Sequence, residues 1–314
     1  MLPPGRKQLQ QQYKDHISDY QGWDQKDHAE DWMLYANNAG VHLSIDETAL
    51  SNGELYTIVT NKAAKGRKGA LVAMVKGTQA DTVIEVLRKI PKRIRYKVKE
   101  VTLDMAANMN KIITRCFPKA DKVIDRFHVQ KLAYDAVQEI RIKYRWEALD
   151  QENDAIKTAK ATGKPYEIEL LENGDTLKQL LARSRYLLFK HRDKWTTSQL
   201  TRAKLLFERY PVINQAYNLS LKLGTIFRSY TSKELAYKPL AFWYDDVERS
   251  GLESFRTVAK SIEGHYIEIL NFFNNRSTNA SAESFNAKIK AFRSTSRGVR
   301  DISFFLFRLS KLYA

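Results

Sequence analysis

Hydrophobic and polar residues change rhythm several times along this chain, and each change predicts an element. Residues 1–40 are polar, rich in Gln, Asp and Lys, with Trp23, Trp32 and Tyr35 as apolar anchors. They read as a lead-in with one or two short helices. From His42 the period becomes two. Leu43 and Ile45 alternate with Ser44 and Asp46, which predicts a strand over 42–47 that points Asp46 off the core face. Two more strands follow, Leu55–Asn61 and Ala70–Lys76, with Thr57, Ile58, Val59 and Val72 supplying β-branched side chains. Ser51-Asn52-Gly53 serves as the first turn, and Gly66 and Gly69 serve the second.

The period then lengthens. Val83, Val86, Leu87 and Ile90 fall at i, i+3, i+4 and i+7, predicting a helix over 80–90 that Pro91 stops. Lys99–Asp104 reads as a fourth strand, and Ala106–Phe117 as a second helix with Met109, Ile112 and Ile113 on one face. Lys122–Asp125 is a short fifth strand. From Phe127 onward helical periods dominate, broken by a predicted loop over Lys157–Asp175, where Gly163, Pro165, Asn173 and Gly174 gather. A final amphipathic helix opens near Asn279, with Phe285, Ile289 and Phe292 as its apolar stripe. The order β-β-β-α-β-α-β-α predicts an α/β fold, an antiparallel ribbon followed by parallel strands with crossovers. That is a ribonuclease-H-like mixed sheet core with a large all-helical insertion before the last catalytic helix. The expected divisions are a lead-in at 1–40, the first part of the core at 41–139, the insertion at 140–268 and the last core helices at 269–314.

Composition narrows the function. The chain has 314 residues, 43% of them hydrophobic, enough to bury a sizeable core in one large domain or two ordinary ones. Lys and Arg number 52 against 36 acidic residues, a net charge of +16 that suits a binder of phosphate backbones. A merely basic protein is the alternative. Cys116 is the sole cysteine, which excludes an internal disulfide and any cysteine-based zinc site, and fits a reducing compartment. Met1–Gln8 has no apolar signal region. Stretches such as Phe304-Phe305-Leu306-Phe307 fall well short of a membrane span of roughly 20 residues. A soluble intracellular protein is expected.

Three acids stand out against this pattern. Asp46 and Asp104 close short apolar strands, and Glu283 lies on the polar face of the last helix with Asn286 and Lys290, about 200° from Phe285. Carboxylates suit Mg2+. Two such ions roughly 3.5–4 Å apart would clamp the attacking and leaving oxygens of a phosphodiester, with Mn2+ as a substitute. Spacing alone carries little weight, since such a trio arises easily by chance. The local octet Asp125-Arg126-Phe127-His128-Val129-Gln130-Lys131-Leu132, where the fifth strand meets a helix, says more. His128 there is either a hydrogen-bonded histidine of a first helical turn or an active-site neighbour that contacts phosphate or orients a carboxylate.

Positive charge gathers in three places: Lys288, Lys290, Arg293, Arg297, Arg300, Arg308 and Lys311; Lys62, Lys65, Arg67 and Lys68; and Lys89, Lys92, Arg93, Arg95, Lys97 and Lys99. These are solvated charge runs or a DNA path leading to the acids. Trp195, Trp243 and Tyr244 are core residues or platforms for an unpaired base.

The octet, together with Ser44-Ile45-Asp46-Glu47-Thr48, Thr102-Leu103-Asp104-Met105-Ala106, Ser184–Lys190, Asn274–Ala280 and Ala282–Lys290, resembles the bacterial DDE transposases of the ISL-three insertion-sequence family. The resemblance runs from about residue 41 to the C terminus. It implies a polynucleotidyl transferase with Asp46, Asp104 and Glu283 as catalytic and metal-binding acids, holding two Mg2+ ions. It implies Asp125 and His128 as auxiliary active-site residues, and Arg126, Asn279, Asn286, Lys288, Lys290 and Arg293 as DNA contacts. The implied partner is double-stranded DNA, both element ends and target, bound by a homo-oligomer in the bacterial cytoplasm. Family members usually carry a zinc-binding segment and a helix-turn-helix ahead of the core, whereas about 40 residues precede Asp46 here. A separately encoded recognition protein is therefore expected. A structure-selective nuclease, a non-catalytic DNA-binding derivative and an inactive relic are the rival readings.

Overall fold

The computed structural model describes residues 6–50, 53–295, 299 and 301–314. The chain divides into two compact units, one of Met1–Asp125 with Ser277–Ala314 and one of Arg126–Arg276.

The first unit is built on a six-stranded mixed sheet among the described residues, ordered β1-β4-β3-β2-β5-β6. Its strands are β1 (Trp32–Leu34), β2 (His42–Ala49), β3 (Leu55–Asn61), β4 (Leu71–Lys76), β5 (Glu100–Leu103) and β6 (Asp121–Ile124). β2, β3 and β4 form an antiparallel ribbon, and β5 and β6 add to β2 in parallel. Helices α1 (Arg6–Gln12), α2 (Ala80–Arg88), α3 (Lys92–Arg95) and α4 (Ala107–Cys116) belong to this unit. After the second unit the chain returns as α13 (Ala280–Thr295) and α14 (Ile302–Tyr313).

Both faces of the sheet are covered. Leu43, Ile45, Val101 and Leu103 pack with Val83, Val86 and Leu87 of α2 and Met109, Ile112 and Ile113 of α4. The other side chains of the strands, among them Tyr56, Ile58, Leu71 and Met74, pack with Phe285 and Ile289 of α13 and Phe305, Leu306 and Leu309 of α14. The expectation of a polar face on β2 is corrected: Ser44 and Thr48 are buried, because α13 lies over that side. The expectation of helix alone in the lead-in is also corrected. Trp32–Leu34 pairs antiparallel with β4, Trp32 opposite Val75, as an edge strand too short to show a period. At the β3–β4 turn Lys65 and Gly66 both take positive φ, which glycine adopts without steric cost. The Ser51 and Asn52 of the expected first turn lie outside the described residues, but Gly53 has φ +84° as such a turn requires.

The second unit is helical among the described residues. It comprises α5 (Arg126–Ala161), α6 (Leu177–Arg183), α7 (Thr197–Arg209), α8 (Pro211–Ser229), α9 (Lys233–Ser250), α10 (Glu253–Glu263), α11 (Tyr266–Leu270) and α12 (Phe272–Asn275). Thr176 and Thr196 open α6 and α7 with reciprocal capping boxes to Gln179 and Gln199. α5 runs 36 residues without a break through positions 139 and 140, and continues to Ala161, past the start of the predicted loop. Its buried stripe of Val129, Ala133, Ala136, Val137 and Ala148 packs on α6, α8 and α10. α8 comes close enough to α5 that a Cβ on Gly224 would sit 2.6 Å from Gln130 Oε1.

Candidate active site

The parallel register sets the acids. Ser44 of β2 pairs with Thr102 of β5, and Thr102 pairs with Val123 of β6. Two residues beyond this row in each chain stand Asp46, Asp104 and Asp125. Neighbouring strands lie about 4.8 Å apart, so the three carboxyl-bearing residues share one end of the parallel strands: Asp104 and Asp125 directly follow β5 and β6, whereas Asp46 lies inside β2, opposite Ile58 of β3.

Each of these acids is held. Asp46 Oδ1 accepts the amide of Glu47 at 2.8 Å, and its Oδ2 accepts the side-chain amide of Asn286 at 2.8 Å. Asp104 Oδ1 accepts the amide of Ala106 at 2.9 Å, closing the turn into α4. Asp125 is buried, and its Oδ2 accepts the amide of Asn279 at 2.6 Å, just before α13 begins. A carboxylate at a helix N-terminus meets unsatisfied N–H groups and the positive end of the helix dipole.

α13 is therefore tied to the strand ends at two points, through Asn279 and Asn286. Glu283 lies between them, four residues after the first and three before the second, which puts all three on one helical face. Glu283 itself is exposed. Among the described residues, no three His, Cys, Asp or Glu side chains converge as a metal cage. The structure thus brings Asp46, Asp104 and Asp125 to one sheet edge, and sets Glu283 on the helix bound there without placing it in a shared cluster. The donor chemistry still suits Mg2+, which keeps several waters and takes one or two carboxylates plus substrate phosphate rather than an all-protein cage.

Glu47 was not anticipated as part of this edge. It points to the other face of β2, where Asn108 Nδ2 lies 3.4 Å from its Oε1. Burial pushes its carboxyl above the usual range, the Asn108 hydrogen bond opposes this, and the charge of Asp104 adds to the rise. The adjacency of Asp46 and Glu47 within one short strand was the available signal.

The expected DNA contacts divide. Asn279 is fully buried and Asn286 nearly so, whereas Lys290 is exposed and Arg293 half-buried. Lys288 donates to the Gly66 carbonyl at 2.7 Å, pinning the β3–β4 turn. Lys62, in the basic group of that turn, points inward instead. It donates to Thr102 Oγ1 at 2.8 Å and lies 3.4 Å from Glu100 Oε1, and burial lowers its pKa. Arg95 caps carbonyls of Ile90 and Cys116. Arg297 and Arg300 lie outside the described residues.

Arg126 and His128 belong to the helical unit. The Arg126 guanidinium sits 5.7 Å from the Phe272 ring centroid, and His128 is half-buried in the first turn of α5 beside exposed Phe127. At the other end of that unit, Arg276 donates to carbonyls of Phe227, Arg228 and Tyr230. The chain thus passes between its units at Asp125–Arg126 and again at Arg276–Ser277, inside the two motifs singled out in the sequence. Trp243 is buried with its indole N–H on the Leu219 carbonyl, and Trp195 bonds the Leu187 carbonyl and stacks on Tyr217, so both serve the core.

A family model described as a transposase, of the DDE and ISL3 type, matches residues 43–309. A protein described as the transposase for insertion sequence element IS1001 of Bordetella parapertussis is 24% identical over 270 residues. That alignment covers 85% of this chain and 60% of the Bordetella protein, so the chain spans about three fifths of its relative's length. No solved structure matches. No helix among the described residues is long and apolar enough to cross a membrane.

Proposed function

This chain belongs to the ISL3 family of DDE transposases, and from that premise we propose that it is the catalytic core of an insertion-sequence transposase, cutting DNA at element ends and joining it to a target. The supporting observation is the shared row: Asp46 of β2 and Asp104 just after β5 lie two residues beyond the paired Ser44 and Thr102, and the helix carrying Glu283 is bonded to Asp46 through Asn286. The strand order β4-β3-β2-β5-β6, antiparallel and then parallel, supports a ribonuclease-H-like core interrupted by the helical unit.

In this reading Asp46, Asp104 and Glu283 are the catalytic acids and would hold divalent metal, Mg2+ or Mn2+. When bound, the metal supplies charge neutralisation at the scissile phosphate and a more acidic attacking water. Asn286 holds the Asp46 carboxylate in one orientation. Asp125 fixes the start of α13, and so the angle at which Glu283 is presented. Lys290 and Arg293, on the same helix as Glu283, would contact the DNA backbone. Positioning of this kind is most of what a protein adds to phosphoryl transfer.

The test is a strand-cleavage and strand-joining assay on element-end duplexes, including one with a pre-cut 3′-hydroxyl. Asp104→Asn should abolish both reactions while leaving duplex affinity close to wild type, since phosphate contacts dominate binding. Cleavage at the wild-type rate in that variant would refute the site. Cleavage without joining by the wild-type chain would mark it as a nuclease instead.

A further inference from the structure

The segment Ser184–Lys190 belongs to the helical unit and takes no part in the chemistry proposed for the acids. Its interior is structural: Leu187 and Leu188 are buried, Ser184 bonds the Leu180 carbonyl at 2.6 Å, and Gln138 Nε2 holds the Arg185 carbonyl at 3.2 Å. With the backbone pinned, Arg185 and Tyr186 nevertheless turn outward. Tyr186 is 67% exposed, and the Arg185 guanidinium lies 5.5 Å from its ring centroid.

Opposite them on α5 an arginine occupies a core position. Arg141 follows Val137 by one turn in the buried stripe, and is only 4% exposed. It donates to Gln138 Oε1 at 2.7 Å and to the Leu181 carbonyl at 2.8 Å, both neutral acceptors. Gln138 joins Arg141 to the Arg185 backbone, and burial, then the charges of Arg145 and Arg185, lower the Arg141 pKa. Among the described residues none of the three has a carboxylate partner. The contrast within the same unit is sharp, because Arg183 and Arg202 both bond the buried Asp175. Arg141 is a buried charge without a counter-ion, which is costly, and the exposed Arg145 and Arg185 add positive charge beside it that an anion would offset. Arg145 is also followed by Trp146, 62% exposed.

We propose that Arg145 and Arg185, backed by the buried charge of Arg141, form a phosphate seat on the helical unit and that Tyr186 stacks the neighbouring base, so that this unit takes an unpaired stretch of DNA strand. Guanidinium forks match phosphate oxygens, and an exposed aromatic face accepts any base without reading its sequence. A double helix keeps its bases stacked inside and offers Tyr186 nothing to cover. The seat belongs to the helical unit and the acids to the other, so a chain that binds through it but cuts nothing still supports this proposal while refuting the catalytic one.

The experiment is fluorescence anisotropy of the full chain with a labelled oligothymidylate and with a labelled duplex, over a range of salt. Arg145 and Arg185 have exposed side chains, so Arg145→Ala with Arg185→Ala should keep the fold, which circular dichroism verifies. The double variant should lose affinity for the single strand and flatten its salt dependence, by about 0.7 in the slope of log affinity against log salt for each phosphate contact removed. Tyr186→Leu should weaken single-strand binding roughly five- to hundredfold, and Tyr186→Phe should restore it. Duplex affinity should move much less in all of them. Unchanged single-strand affinity and slope in the double variant would overturn the proposal. So would a change in oligomeric state on size exclusion with DNA binding intact, which would mark the surface as a protein interface.

Discussion

The side-chain amide of Asn286 donates to Oδ2 of Asp46 at 2.8 Å, joining α13 to the central strand β2 across 240 residues of sequence. The bond is nearly buried, and its acceptor is a carboxylate, the stronger class of hydrogen bond. Asn286→Ala leaves one oxygen of Asp46 without that donor and should cost about 1–3 kcal/mol of stability. Strand cleavage should fall further than this loss explains, while the salt dependence of duplex binding stays unchanged. Chemical denaturation, cleavage rate and anisotropy on one preparation check the three together. Asn286→Asp should do worse at neutral pH, because two facing carboxylates cannot both ionise cheaply. One of them then has a raised folded-state pKa, and its stabilising contribution is lost as pH rises through that value. Melting temperature of this variant should therefore recover on acidification, and a flat profile would contradict the contact.

Asp125 makes the second tie, to the amide of Asn279 at 2.6 Å. Removing a side-chain acceptor at a helix start costs about 0.5–2 kcal/mol. Asp125→Ala should lie at the upper end, since the site is buried. Hydrogen exchange should show lost protection at the first turn of α13 and little change in β5 or α4. Asp125→Asn retains an acceptor without the charge and should fall between.

These two ties show what the sequence could and could not disclose. The central and parallel strands were legible because their apolar residues alternate or run together between turn signals, as in Leu43–Asp46 and Val101–Leu103. β1 was not, because three residues carry no period and only the pairing of Trp32 with Val75 makes them a strand. Ser44 mimicked a solvent face, although it is buried and α13 packs on β2 from more than two hundred residues away. For the same reason Lys62 looked like surface charge, whereas Thr102 and Glu100 draw it inward. Asp104 was visible as an acid at a strand end and Asp46 as an acid on a strand, although β2 runs on to Ala49 instead of stopping at 47. That Asn286 would bond Asp46 was not visible, because register across the insertion is a tertiary property. Arg141 was hidden by its own conformity, an arginine spaced like a core residue.

Asp175 anchors the helical unit. It is fully buried, with Arg202 Nε at 2.9 Å and Arg183 and Asn173 also bonded to it. Burial alone would raise its pKa, but the hydrogen bonds and charge of the two arginines bring it below the usual value. A depressed folded-state pKa gives stability that is present above the unfolded pKa and disappears as pH falls through the folded one. Asp175→Asn should cost about 3 kcal/mol at neutral pH, the lower end for a broken buried pair because Arg183 is half exposed. The gap to wild type should close only in acid, below about pH 3.9. Thermal melts of both proteins across that range decide it, and a gap that persists unchanged at low pH would show that packing rather than charge is responsible.

Glu47 carries the opposite sign, and it also reports on the proposed metal site without any need for turnover. Its carboxyl is pushed up by burial, with Asp104 adding to the effect and Asn108 resisting it. A raised folded-state pKa gives a contribution that is complete below the unfolded pKa, about 4.3, and is lost as pH rises through the folded value. Glu47→Gln keeps an oxygen for Asn108 and removes the charge. In EDTA the variant should melt at the wild-type temperature in acid, and above wild type once pH exceeds the folded pKa of Glu47. A cation beside Asp104 would reverse the local logic, favouring the charged Glu47 and narrowing the gap. Adding Mg2+ at neutral pH should therefore stabilise wild type more than Glu47→Gln, and in the Asp104→Asn background this difference should vanish. Equal stabilisation of both chains by Mg2+, with Asp104 present, would place the cation elsewhere.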